Sequence, residues 1–148
     1  NMVFDPTKNE FTLPDSLTKE LDFISVNKYI GWYMPFPTEP ENIKWSICTD
    51  KPLFFSEFGV EAQQGVYGNK NVASSWSEDY QADIYSKNLE MMKKIPNLAG
   101  LSPWVLFDFK SPRRLHPLHQ KGWNRKGLIS DFGVRKKAWY IMHDYYTK

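Results

Sequence analysis

Long apolar runs are missing from this sequence. None approaches the roughly 20 residues that a membrane-spanning helix needs, so no membrane partner is expected. Cysteine is nearly missing too: Cys48 stands alone, in WSICTD. That excludes an internal disulfide framework and a cysteine-built metal cluster. With no histidine beside it, the thiol reads as a buried structural group rather than a nucleophile. Charge of one sign is absent as well. Lys+Arg 19 against Asp+Glu 17 leaves a net charge of +2, too balanced to suggest a nucleic-acid partner. His116 and His119 are three apart, but Pro117 lies between them and no third ligand type clusters there. A metal site is not expected, and no cofactor is expected either.

Aromatic side chains are abundant, with Trp 6, Tyr 8 and Phe 10 among 148 residues. They suit a large core, or a sugar-binding cleft whose walls stack on pyranose faces. The N-terminal NMVFDPTKNE is not a signal peptide. Met2-Val3-Phe4 reads as the tail of a strand already under way.

The chain is organised around Lys51–Gly59, KPLFFSEFG. Pro52 opens a run that is apolar on both faces, the pattern of a strand buried between layers in a parallel sheet. Glu57 falls at its C-terminal end, and Gly59 releases the chain into a loop. In a (β/α) barrel that end carries the catalytic side chains. A carboxylate there costs free energy unless partnered or solvated. On spacing alone, a salt-bridged strand-end glutamate explains Glu57 equally well.

Around this strand the pattern predicts a short helix over Thr12–Leu21, with Pro14 early, Asp15 or Ser16 as cap, and Leu13, Leu17 and Leu21 on one face. Asn9-Glu10, after Pro6-Thr7-Lys8, reads as a solvated loop. Asp22–Tyr29 reads as a strand with Phe23, Ile24 and Val26 buried, and the aromatic, proline-rich IGWYMPFPTEP follows as a lid. Ile43 and Ile47 suggest a modest helix over Glu41–Cys48. Val60–Ser74 is a long polar loop, and such loops are more often functional than accidental. Ser75-Trp76-Ser77-Glu78 has capping-box spacing, and a helix should run from Glu78 to Lys94 with Met91 and Met92 as core filling. Gly100–Phe109 should be a third strand carrying Trp104 and Asp108, and a basic loop leads from it to a last helix over Arg135–Tyr146. Alternation of this kind implies parallel strands with right-handed crossovers. The parallel strands are too few to close a barrel, so the chain is expected to be a piece of a larger enzyme.

Four stretches, DFISVNKYIGWY, PLFFSEFGVEAQQGVYG, SPWVLFDF and GWNRKGLISDFGVRKKAWYIMHDYY, stand in characteristic order and spacing. They resemble the last part of the catalytic barrel of glycoside hydrolase family two, nearest to its bacterial β-glucuronidases. The resemblance runs from Met2 to Tyr146. It implies an α/β fold, the C-terminal half of a (β/α)₈ TIM barrel, with residues 1–148 supplying the end of strand five through helix eight. Under it, Glu57 matches the catalytic nucleophile and Tyr29, in Asn27-Lys28-Tyr29, a tyrosine approaching nucleophile and sugar. Tyr33 matches a second active-site tyrosine and Trp104 the tryptophan flooring the sugar site. Asn124 and Lys126 match the Asn-x-Lys motif that recognises a glucuronate carboxylate, for which an amide and an ammonium supply donors. Taken alone, Asn124-Arg125-Lys126 reads as a solvated basic turn.

The sequence departs from the family in two places. Lys28 is arginine in many relatives, and the Asp108–Asn124 loop is longer and more basic, with Arg113 and Arg114 available to assist carboxylate binding or to reach an aglycone. The implied activity is a retaining exo-glycosidase acting on terminal β-D-glucuronosides through a covalent glycosyl-enzyme on Glu57. The family's acid/base glutamate lies upstream of Asn1, and neither Glu10 nor Glu61 fits its context, so the chain alone should be inactive. A β-galactosidase or β-galacturonidase of the same family is one alternative, and a non-catalytic saccharide-binding half-barrel another. Exposed barrel edges would favour self-association. The compartment stays open between bacterial periplasm and cytoplasm.

Overall fold

A computed structural model describes residues 2–13, 15–33 and 39–148. The chain opens with an antiparallel pair, β1 (Val3–Asp5) and β2 (Glu10–Leu13). Asn9 turns the hairpin at φ 51°, a conformation that asparagine tolerates. Glu10 is therefore a strand residue, not part of a solvated loop. The helix expected over Thr12–Leu21 shrinks to the single turn α1 (Asp15–Thr18), because Thr12 and Leu13 pair in the sheet. Pro14 and the side chains of Asp15 and Leu17 lie outside the described residues, and Leu21 is exposed.

Strand β3 (Ile24–Asn27) buries Ile24 and Val26. Side chains alternate along a strand, so Phe23 faces the other way and is 58% exposed, against expectation. The lid segment Met34–Thr38 lies outside the described residues. A 3₁₀ turn over Pro40–Asn42 then leads into β4 (Lys44–Ile47), where a helix was expected. Residues four apart share a face in a helix and in a strand alike. What decides is the partner: β4 lies parallel to β2 from Glu10↔Lys44 to Leu13↔Ile47. Cys48 follows it and is exposed, which corrects the buried thiol.

Strand β5 (Leu53–Glu57) is central, with β3 and β6 (Leu98–Leu101) parallel on its two sides. Leu53 and Phe55 are wholly buried, worth about 2–3 kcal/mol each. Helix α2 (Glu78–Met92) packs over them with Tyr85, Leu89, Met91 and Met92. Its cap is Ser77, whose Oγ accepts from the Tyr80 N–H at 3.1 Å, so the cap lies two residues past Ser75. Buried Glu78 accepts from the N–H groups of Gly65 (2.7 Å) and Lys137 (2.9 Å), tying the long loop and α3 (Lys137–Thr147) to this end of α2.

The third strand ends at Leu101, well short of Phe109. Pro103 has no N–H for a ladder, and Leu106 and Phe107 are exposed. Contact continues irregularly: Val105 donates to the Lys126 carbonyl, Leu128 to that of Val105, Ile129 to that of Leu106 and Asp108 to that of Ile129, at 2.8–3.3 Å. A two-stranded ribbon, β7 (Phe109–Lys110) with β8 (Trp123–Asn124), extends beyond them. Behind Asn124–Gly127 sits the wholly buried Lys136. Its ammonium donates to the Ala62 carbonyl (2.6 Å), Asp108 Oδ1 (2.8 Å) and the Arg125 carbonyl (3.0 Å). Asp108 Oδ1 also accepts from the Gly127 N–H at 2.8 Å. Burial pushes Asp108 up and Lys136 down, each against the pull of the other. The result is a mixed α/β fold with parallel strands. Among the described residues, no helix is long and apolar enough to cross a membrane.

Two stability outcomes follow. A Cβ on Gly127 would stand 2.2 Å from the Asp108 nitrogen and 2.6 Å from the Ile129 oxygen, both backbone atoms. Gly127→Ala should cost about 2–3 kcal/mol in urea unfolding. Lys136→Met should cost about 3–5 kcal/mol by stranding Asp108, while adding Asp108→Asn should recover much of that. A double variant no better than the single one would show that the pair is not what the loss measures.

Candidate active site

The C-terminal ends of β3 and β5 lie side by side, with Asn27 opposite Glu57 and the Lys28 N–H bonded to the Glu57 carbonyl at 2.9 Å. This register sets Tyr29 next to the Glu57 carboxylate, and its hydroxyl donates to Oε2 at 2.5 Å. Burial first, and then the bond to Glu57, push the Tyr29 hydroxyl far up, so it stays a donor. The other Glu57 oxygen has no hydrogen-bond partner among the described residues.

Trp104 arrives from β6, anchored by its N–H on the Phe58 carbonyl at 2.9 Å, and its peptide bond to Val105 is cis. Tyr33 comes from the turn after β3 and meets Tyr29 edge-on, with ring centroids 5.6 Å apart. Lys126 arrives from the segment after β8. Its ammonium donates to Glu61 at 2.9 Å and to the Tyr33 hydroxyl at 3.2 Å. It also lies 5.2–5.4 Å from the ring centroids of Tyr29, Trp32 and Tyr33, within cation–π range. An ammonium has three protons to give, so one is left for a ligand. The Asn124 side-chain oxygen accepts from the Lys126 N–H at 3.0 Å, which leaves its amide nitrogen as a donor.

These groups enclose one cavity of about 360 Å³, lined by Tyr29, Tyr33, Glu57, Trp104, Asn124 and Lys126 together with Phe109, Ser111 and Arg114. Six of the seven residues singled out in the sequence thus come together. Asn27 does not: its side chain is exposed, accepts from Ser56 Oγ at 2.5 Å, and faces a separate hollow. Of the two loop arginines, Arg114 reaches the cavity and Arg113 is exposed. Burial pushes the Tyr33 hydroxyl up, but the Arg114 bond and the Lys126 charge outweigh it and hold it below its usual value.

Glu61, considered in the sequence only to be set aside as the acid/base, takes a place beside the cavity that the sequence did not assign to it. It is wholly buried, and only its partners, brought from residues far along the chain, reveal it. Among the described residues no cluster of His, Cys, Asp or Glu could hold a metal. His116 and His119 instead stack on one another and lie against Trp76.

No protein-family model matches the chain. It is 27% identical to a β-glucuronidase of Streptococcus agalactiae over 97% of its own length and 27% of that protein's. A rat β-glucuronidase is 26% identical over 86% of the chain and 20% of the relative. Among solved structures, a β-D-glucuronidase of Dictyoglomus thermophilum superposes with a TM-score of 0.71 at 20% identity, over 88% of this chain and 23% of that one. A family-two β-galacturonidase of Eisenbergiella tayi bound to galacturonate gives a TM-score of 0.68 at 24% identity, over 85% and 23%. The chain spans about a quarter of the length of these relatives. Over nearly its whole length it is similar in sequence to one part of β-glucuronidases, and in fold to one part of β-glucuronidases and of a family-two β-galacturonidase.

Proposed function

We propose that this chain is the C-terminal portion of the catalytic TIM barrel of a retaining β-glucuronidase, from the end of strand five through helix eight. Glu57 is its nucleophile. The observation that carries the reading is the single cavity in which the Glu57 carboxylate faces the Asn124 amide, the Lys126 ammonium and the Arg114 guanidinium. A β-glucuronoside needs both ends: a nucleophile for the anomeric carbon and cationic donors for the carboxylate at the far side of the ring.

In the first step a Glu57 oxygen bonds to the anomeric carbon as the bond to the leaving oxygen breaks. Tyr29 holds the other oxygen of the carboxylate, which fixes the attack direction. Trp104 offers a flat face to the pyranose, and Asn124, Lys126 and Arg114 bind the uronate. Retention requires a second carboxyl group about 5 Å from the nucleophile to protonate the leaving oxygen and later to activate water. Glu57 is the one carboxylate among the described residues lining the cavity, so the acid/base belongs to another part of the parent protein. A second hollow, of about 660 Å³, runs from Glu57 along Pro103, Val105 and Leu106 to Trp139, Met142 and Tyr146. Its apolar lining suits the rest of a barrel.

A β-galacturonidase is the second reading, favoured by the structural likeness to the Eisenbergiella tayi enzyme. A galacturonate carboxylate meets the same donors, and the donors do not read the configuration at C4.

Hydrolysis of nitrophenyl glucuronide, galacturonide and galactoside by the full-length parent protein tests these readings. Glu57→Gln should lower turnover by several orders of magnitude. Lys126→Ala should reduce the preference for the uronide over its neutral counterpart by about 2–3 kcal/mol, roughly 30- to 150-fold. Hydrolysis of the galactoside alone would remove carboxylate recognition from Asn124 and Lys126. The isolated 148-residue chain should be inactive, and measurable turnover by it would overturn the missing acid/base.

A further inference from the structure

We propose that Glu61 is the positioning residue for the uronate site. It orients Lys126 and leaves one net positive charge on the Lys126–Arg114 wall of the cavity, to match one sugar carboxylate. This rests on the uronosidase reading above.

Glu61 is wholly buried and is not among the cavity's lining residues. Both of its oxygens are occupied by protein. Oε1 accepts from Lys126 Nζ at 2.9 Å and pairs with the Arg114 guanidinium at 3.5 Å. Oε2 accepts from Gln120 Nε2 at 2.9 Å and from the Arg125 N–H at 3.1 Å. A carboxylate offers about four lone-pair sites, so none remains for a sugar hydroxyl. Glu61 therefore acts through other residues.

It stands between the two cations that line the cavity, Lys126 and Arg114. Two positive charges against one buried negative charge leave a single uncompensated positive charge on that wall, counted apart from the Glu57 carboxylate that lines the same cavity. Lys126 is itself 1% exposed, so its ammonium depends on fixed partners rather than on water. Tyr33 shares the arrangement: its oxygen accepts from Lys126 at 3.2 Å and from Arg114 Nη2 at 3.5 Å, which directs its own proton away from both cations. Gln120 and the Arg125 N–H hold Glu61 from behind. The Gln120 N–H in turn bonds to the His116 carbonyl at 3.2 Å, so the long basic loop is tied to the same carboxylate.

Positioning and simple electrostatics predict opposite signs. If only charge mattered, Glu61→Gln would make the cavity more positive and the uronide would bind more tightly. If Glu61 positions Lys126, the uronide binds more loosely although the charge has increased. The experiment uses the full-length parent protein with nitrophenyl glucuronide and nitrophenyl glucoside, whose sugars differ by the carboxylate. Glu61→Gln should raise KM for the glucuronide about tenfold or more with kcat changed far less. The glucuronide-to-glucoside ratio of kcat/KM should fall with it, and Glu61→Asp should restore part of the preference. An unchanged or lowered glucuronide KM would overturn the proposal, as would equal losses on both substrates, the mark of a merely structural role. Should Glu61→Gln fail to fold, Gln120→Leu removes one of the bonds holding Glu61. It should raise the glucuronide KM severalfold, and no rise would overturn the proposal. A wild-type protein active on the galacturonide alone moves the same test to that substrate and its neutral counterpart, the galactoside; one inactive on both uronides would instead overturn the uronosidase reading, and this inference with it.

Discussion

A single buried ammonium holds together the part of this chain that regular secondary structure does not. Lys136 bonds to the Ala62 and Arg125 carbonyls and to Asp108, so one side chain joins three segments. The first runs from Glu57 through Ala62, the second from Trp104 to Asp108, and the third carries Asn124 and Lys126. None of the three is regular strand at the point of contact, and their buried backbone groups need partners from elsewhere. Arg125 adds an outer layer, with its guanidinium 2.8 Å from Asp131 and 3.4 Å from Asp108. Removing the central charge would free the loops on which the cationic end of the cavity depends.

The two ends of the cavity are built differently. Glu57 and Tyr29 are placed by ladder register, since β3 and β5 run parallel and end together. Their separation is fixed by the sheet and supported by Leu53, Phe55 and α2 behind it. Lys126 and Asn124 are placed by side chains and irregular backbone, through Glu61, Asp108 and Lys136. The aromatic rings of Tyr29, Trp32 and Tyr33 lie around the Lys126 ammonium, and Tyr29 and Tyr33 also line the cavity. A rigid carboxylate at one end and a networked cation at the other give the cavity a fixed length and polarity, which is what recognition of one charged pyranose requires.

Expectation and structure part company where pairing partners decide. Ile43 and Ile47 are spaced for a helix, yet they lie along a strand, because β2 offers a parallel edge. Thr12 and Leu13 were read into a helix, yet they belong to β2 and pair with its neighbours. Phe23 was expected in the core because it is apolar, but strand alternation turns it to the open side. Cys48 likewise ends exposed. The misses at Ile43, Ile47 and Cys48 involve side chains whose burial depends on what lies across from them, and a linear pattern carries no trace of that; Phe23 differs, since alternation with the buried Ile24 and Val26 already points it outward.

The sequence by itself determined the parts governed by local chemistry. It marked the apolar run of β5 with Glu57 at its end, the capped helix from Glu78 and the last helix, and its resemblance to a known family marked the motifs that six of the cavity residues belong to. The first three follow from periodicity, capping and short-range order, which are written in neighbouring residues. Only the tertiary structure decided that Asn27 stands outside the cavity, that Arg114 and not Arg113 enters it, and that Glu61 pairs with Lys126. A wholly buried carboxylate is stable only where cations and amides from elsewhere in the chain converge on it, and that convergence exists only once the chain has folded.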